Sequence, residues 1–194
     1  MEFLNINQMI LIGSTGRNSG KTTLAVELIK KWKSHFPVIA LKITTIQDRS
    51  GKCQRGGEGC GVCTNIKEDF KLVEEGNKDS SKDTSLLLAA GAEKVYWLRC
   101  LKDHIHEGIE FFMRQVPDNA LIICESNTLR TAVVPGTFIM LKNTENDAIK
   151  KSAGEVINNA DIIIENDFQN SIKNIVEKIE VKEEKSQFQM KIHS

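Results

Sequence analysis

Runs of consecutive apolar residues recur along the chain. Met9-Ile10-Leu11-Ile12, Val38-Ile39-Ala40-Leu41-Lys42-Ile43, Leu121-Ile122-Ile123-Cys124 and Phe138-Ile139-Met140-Leu141 are the clearest. Apolar residues fall on both faces of these extended segments. That predicts strands buried on both sides, as in a parallel sheet covered by helices. Val95-Tyr96-Trp97-Leu98 and Ile162-Ile163-Ile164 add two more strands. Between the strands the period changes from continuous to helical. Leu24, Ala25, Leu28, Ile29 and Trp32 predict a helix over about 21–34, and Thr84 to Ala90 predicts one stopped by Gly91. Ile105, Ile109, Phe112 and Met113 mark an amphipathic helix from Asp103 to Gln115. Ala148 to Ala160 and Phe168 to Ile179 keep helical spacing as well. Strands alternating with helices predict an α/β fold, a three-layer architecture with a mostly parallel sheet and helices on both faces.

The pattern collapses between Gln47 and Lys82, where Gly, Asp, Glu, Lys and Ser dominate. A loop this long inside a compact domain points to function or motion. A short helix from Lys67 to Glu75 is conceivable, with Phe70 and Val73 as its weak apolar side. The charged tail from Lys182 onward predicts one edge strand or a frayed end. The whole is read as a single domain, 1–194, with a Cys/Gly-rich insert at about 47–82.

Candidate chemistry enters at the end of the first run. Gly13-Ser14-Thr15-Gly16-Arg17-Asn18-Ser19-Gly20-Lys21-Thr22-Thr23 lies between a strand and a helix, the context of a P-loop. The small residues let backbone N–H groups turn toward phosphate oxygens, and the helix N-terminus adds partial positive charge. The nucleotide-binding residues expected are Gly16, Arg17, Asn18, Ser19, Gly20, Lys21, Thr22 and Thr23. Lys21 would reach the β- and γ-phosphates, and the Thr22 hydroxyl would hold Mg²⁺. Thr15 stands where the strict pattern has its first glycine.

Ligands of such folds sit at the carboxyl ends of strands. Glu125 ends the Leu121–Cys124 strand, so it is a candidate for binding Mg²⁺ through water or orienting a nucleophile. Asp83 opens a helix, either as its N-cap or as a carboxylate for Mg²⁺ or water. With Lys21 these form the expected catalytic set; Asp48, one acid in a polar loop, is a weaker candidate. Arg130 could reach a phosphate or face solvent. Asn166 and Asp167 follow a late strand where GTP-binding proteins read guanine, although a helix cap by Asp167 fits better. Cys60-x-x-Cys63, with Cys53 nearby, has spacing that lets thiolates bind zinc or an iron–sulfur cluster. A redox pair or inert thiols remain alternatives. Cys100 and Cys124 read as core thiols.

Composition narrows the classes. Lys plus Arg and Asp plus Glu are 26 each, so no basic nucleic-acid face or polybasic membrane anchor is expected. The N-terminus lacks the pattern of a signal peptide, and no run approaches a membrane span. A cytoplasmic location is expected, and with it little use of disulfides.

Gly20-Lys21-Thr22-Thr23-Leu24, Leu41-Lys42-Ile43-Thr44, Lys82-Asp83-Thr84-Ser85 before Ala90-Gly91-Ala92, and the strand ending in Glu125 occur in a telling order over residues 8 to about 142. In this the chain resembles the molybdopterin-guanine dinucleotide biosynthesis protein B family of small P-loop accessory proteins. The resemblance implies GTP binding, slow hydrolysis, a homodimer and help in attaching a nucleotide to molybdopterin. The function expected is therefore a Mg²⁺-dependent GTP- or ATP-binding accessory factor, working with a cofactor-biosynthesis enzyme. A small-molecule kinase using the same loop, or a non-catalytic nucleotide- or metal-binding module, are the alternatives.

Overall fold

The computed structural model describes residues 2–47, 66–144, 148–169, 171–184 and 187–193. Seven strands share one sheet: β1 (Leu4–Ser14), β2 (Val38–Ile46), β3 (Phe70–Glu74), β4 (Lys94–Leu101), β5 (Leu121–Glu125), β6 (Val133–Asn143) and β7 (Ile162–Asn166). Their order is β3-β4-β2-β5-β1-β6-β7. All neighbours are parallel except β3, which runs antiparallel to β4 at one edge. The mostly parallel α/β architecture expected from the apolar runs is present.

The continuous runs are explained by packing on both faces. In β1, Ile10 and Ile12 point into one core with Leu24, Leu28 and Ile29 of α1 (Lys21–Trp32), Leu87 of α2 (Asp83–Ala90) and Ile175 of α5 (Ser171–Lys178). Met9 and Leu11 point into the other, with Ile105, Ile109 and Phe112 of α3 (Ile105–Met113). All four β1 residues are fully buried. Gly91 ends α2 as expected: its φ of 109° is left-handed, a conformation that costs a side chain energy.

Three expectations are corrected. Residues 70–74 form strand β3, not a helix. Phe70 and Val73 mimic helical spacing, but pairing with Cys100 and Trp97 on β4 decides the conformation. The long helix expected over Ala148–Ala160 is the single turn α4 (Lys151–Gly154) followed by a 3₁₀ turn at Ile157–Asn159. Ala153 and Val156 are still buried. The tail is a hairpin, β8 (Ile179–Glu184) with β9 (Gln187–Ile192). Val181 and Phe188 bury its inner face in the α1 core, and Phe188 meets Phe36 at a ring separation of 5.4 Å.

Register places the chemistry. Glu125, the last residue of β5, lies beside Ile12 of β1 and beside Lys42 of β2. The loop that follows β1 therefore emerges next to a carboxylate and a lysine at the same end of the sheet. No helix among the described residues is long and apolar enough to cross a membrane.

Candidate functional site

Between β1 and α1 the chain bends through residues 15–20. Two of these residues take left-handed backbone angles, Asn18 at φ 51° and Gly20 at φ 87°. Gly20 is the N-cap of α1, and its carbonyl accepts the Leu24 N–H at 2.9 Å. A side chain at 20 would be strained by the backbone and would also collide with the Asn166 amide. Gly20 has no side chain with which to cap the helix, and the first turn contains no acidic residue. The first N–H groups of α1 and its positive dipole end therefore meet no carboxylate of their own helix. That is the condition for attracting an external anion.

The loop is held from outside. Asn127, just beyond β5, accepts the Ser14 N–H at 2.8 Å and donates to the Ser14 carbonyl at 2.9 Å. Lys150 donates its backbone N–H to the Thr15 carbonyl at 2.9 Å and its ammonium to the Gly16 carbonyl at 2.6 Å. Asn166, fully buried at the end of β7, donates to the Ser19 carbonyl at 3.1 Å. The carbonyls of Ser14, Thr15, Gly16 and Ser19 are thus taken up by partners outside the loop.

Lys21 extends back over the loop and donates to Ser14 Oγ at 2.7 Å; Ser14 in turn donates to the Gly16 carbonyl at 2.8 Å. Burial lowers the Lys21 pKa, Glu125 opposes this, Lys42 adds to it, and Asp83 opposes. Thr22 donates to Glu125 Oε2 at 3.3 Å. Glu125 is 4% exposed. Burial raises its pKa, Lys42 and Lys21 pull it down, Asp83 pushes it up, and the Thr22 hydroxyl stabilises the charge. Lys42 lies 3.7 Å from Glu125 Oε2 and also pairs with Asp83. The other Glu125 oxygen, Oε1, is buried with no hydrogen-bond partner among the described residues. Leaving such an oxygen unpaired costs about 1–3 kcal/mol. A hydroxyl and a buried, half-satisfied carboxylate side by side are a donor set suited to Mg²⁺, directly or through water.

These groups line a cleft of about 1280 Å³ running over the carboxyl ends of the strands. Arg17, Lys21, Lys42, Lys102, Lys150 and Lys151 line it against Asp83, Glu125 and Glu155. The chain is neutral overall, but this wall is basic. A smaller hollow of about 280 Å³ at the opposite end of β1, by Leu4, Ile6 and Met113, gathers no comparable set of charges.

The expected residues sort clearly. Arg17, Asn18, Ser19, Gly20, Lys21, Thr22 and Thr23 line the cleft with Glu125 and Asp83, while Gly16 lies buried just behind it. Asp83 is not the N-cap of α2. Lys82 holds that position, and the Asp83 carboxylate faces Lys42 instead. Arg130 is committed elsewhere: it donates to the Val133 carbonyl at 3.0 Å and lies over the Phe3 ring. Asn166 donates to the Ser19 carbonyl and accepts the Phe168 N–H. Cys100 and Cys124 are core thiols, and burial pushes Cys100 up to about 12 and Cys124 well above its usual value. Asp48, Arg49, Cys53, Arg55, Cys60 and Cys63 lie outside the described residues.

Lys42, Asn127 and Lys150 are additions of the structure. Lys42 left a signal, since it is a lone charge inside a buried apolar strand. Asn127 and Lys150 left none, because each acts through a contact more than 100 residues distant in sequence. Comparisons with protein-family models, curated proteins and solved structures return no match for the chain.

Proposed function

We propose that the chain binds a nucleoside triphosphate with Mg²⁺ over the loop at residues 15–23, on a P-loop fold, and hydrolyses it slowly. The observation that carries this reading is the meeting of three things at one point. They are an uncapped, acid-free helix start, a half-buried lysine folded over the loop, and a hydroxyl–carboxylate pair 3.3 Å apart. Each is explained by a polyphosphate and its metal, and none by an ordinary strand-to-helix turn.

The residues then have distinct work. The loop N–H groups and Lys21 hold phosphate oxygens and stabilise charge that develops on them. Thr22 and Glu125 hold Mg²⁺, which when bound neutralises phosphate charge. Glu125 also offers an oxygen to accept a proton from water. Lys42 favours the charged form of Glu125 against the burial that raises its pKa, and is itself paired with Asp83.

The wider role we propose is accessory: a factor in making molybdopterin-guanine dinucleotide or a related metallocofactor, acting as a homodimer with a biosynthetic enzyme. Supporting it, two pieces of sequence that carry the resemblance, Leu41–Thr44 and Lys82–Ser85, meet through the Lys42–Asp83 pair. Glu125→Gln keeps the side-chain volume and should retain nucleotide binding while phosphate release falls about 100-fold or more. Wild-type turnover in that variant would remove Glu125 from the hydrolytic step, and no phosphate release by the wild-type protein would sink the hydrolytic reading. For the pathway, cells without the chain should lose activity of enzymes that carry the dinucleotide cofactor; normal activity would remove the accessory role.

A further inference from the structure

Phe168 follows β7 and lines the cleft, yet it is 47% exposed. It is the aromatic residue among the described lining residues. Its φ of 58° is left-handed, an unusual conformation for a bulky side chain that must be held by its surroundings. What holds it is visible. The Phe168 N–H donates to Asn166 Oδ1 at 3.0 Å, and the same Asn166 side chain donates to the Ser19 carbonyl at 3.1 Å. Asn166 is fully buried, so both hydrogen bonds are shielded from water. One amide thus ties the backbone of an exposed aromatic residue to the loop that follows β1.

A nucleotide has a polyanionic end and a planar heteroaromatic end. The first matches the loop and the basic wall. We infer that Phe168 is the stacking platform for the base, so the ligand class at this subsite is the heteroaromatic base of a nucleoside triphosphate. This rests on the proposed phosphate-binding reading and adds where the other end of the ligand lies. Stacking uses the π-face that every base has, and is tolerant of base identity. The ring contributes affinity to ATP and GTP alike. A phosphate chain without a base gains nothing from it.

The test compares ATP, GTP and inorganic tripolyphosphate, each with Mg²⁺, on the full chain. Wild type should bind both nucleotides more tightly than tripolyphosphate. Phe168→Asn suits the position, because asparagine tolerates left-handed angles and carries no ring. It should weaken both nucleotides about tenfold or more and leave tripolyphosphate unchanged, with the same melting temperature. Phe168→Trp should keep nucleotide affinity, and its indole fluorescence should change with nucleotide but not with tripolyphosphate. Equal weakening of all three ligands would make Phe168 a brace of the loop and overturn the inference. Unchanged nucleotide affinity in Phe168→Asn would overturn it too. Wild type binding tripolyphosphate as tightly as nucleotide would overturn it while leaving the phosphate site intact. Wild type binding none of the three would remove the phosphate reading itself.

Discussion

Glu125 puts an ionisable carboxyl in a place that resists its charge. Its carboxylate ends a strand buried on both faces, and Lys42 and Lys21 only partly offset the desolvation. The sign of the consequence for stability follows from linkage. Folding raises the Glu125 pKa, so between the ordinary carboxylate value and the raised one the unfolded chain binds fewer protons than the folded protein. Stability must fall as pH rises through that window. Below it both states are protonated and Glu125 contributes no slope. Glu125→Gln removes the titration, so the variant should gain stability relative to wild type as pH rises above the ordinary carboxylate value of about 4. Denaturation midpoints of both proteins across that range measure the difference. A difference that stays flat, or runs the other way, contradicts the burial of an ionisable carboxylate here. In the sequence Glu125 was legible as a strand-end acid. Its partners Thr22 and Lys42 are 103 and 83 positions away, and only the sheet order brings them near.

At the scale of elements, what was legible is what local pattern decides. β1, β2 and β5 are continuous apolar runs because both faces are covered, and α1 and α3 keep their apolar stripes because each covers one face. What was lost is what distant partners decide. β3 is an edge strand whose residues become a strand only against β4. The hairpin did leave a trace: Phe188, Met190 and Ile192 alternate within a charged stretch, the period of a half-buried strand. The same division allows the two faces to be separated by experiment. Phe112 of α3 is fully buried and meets Tyr96 edge-on at 5.7 Å, in the core on the opposite face from α1. Phe112→Ala should lose about 3–5 kcal/mol of unfolding free energy in a urea titration, with nucleotide affinity of the folded protein unchanged. A loss below about 1 kcal/mol would mean that this core is not packed as described.

Across the whole molecule, equal numbers of acidic and basic residues concealed a polar division. The cleft wall is basic while the chain is neutral, and summing charge over sequence erases that. Topology made the division: parallel β1, β2 and β5 deliver the loop, Lys42 and Glu125 to one end of the sheet. β6 and β7 lead to Lys150 and Asn166, which grip the loop from the other side. Lys21 stands at the centre of this arrangement, bonded to Ser14 and facing Glu125, Lys42 and Asp83. Calorimetric titration of ATP and GTP into wild type and Lys21→Ala, with Mg²⁺ present, tests the central claim most directly. The account predicts a saturable binding heat for wild type, lost in a variant that keeps its melting temperature. Equal nucleotide binding by the two proteins, or no binding by wild type, would contradict it.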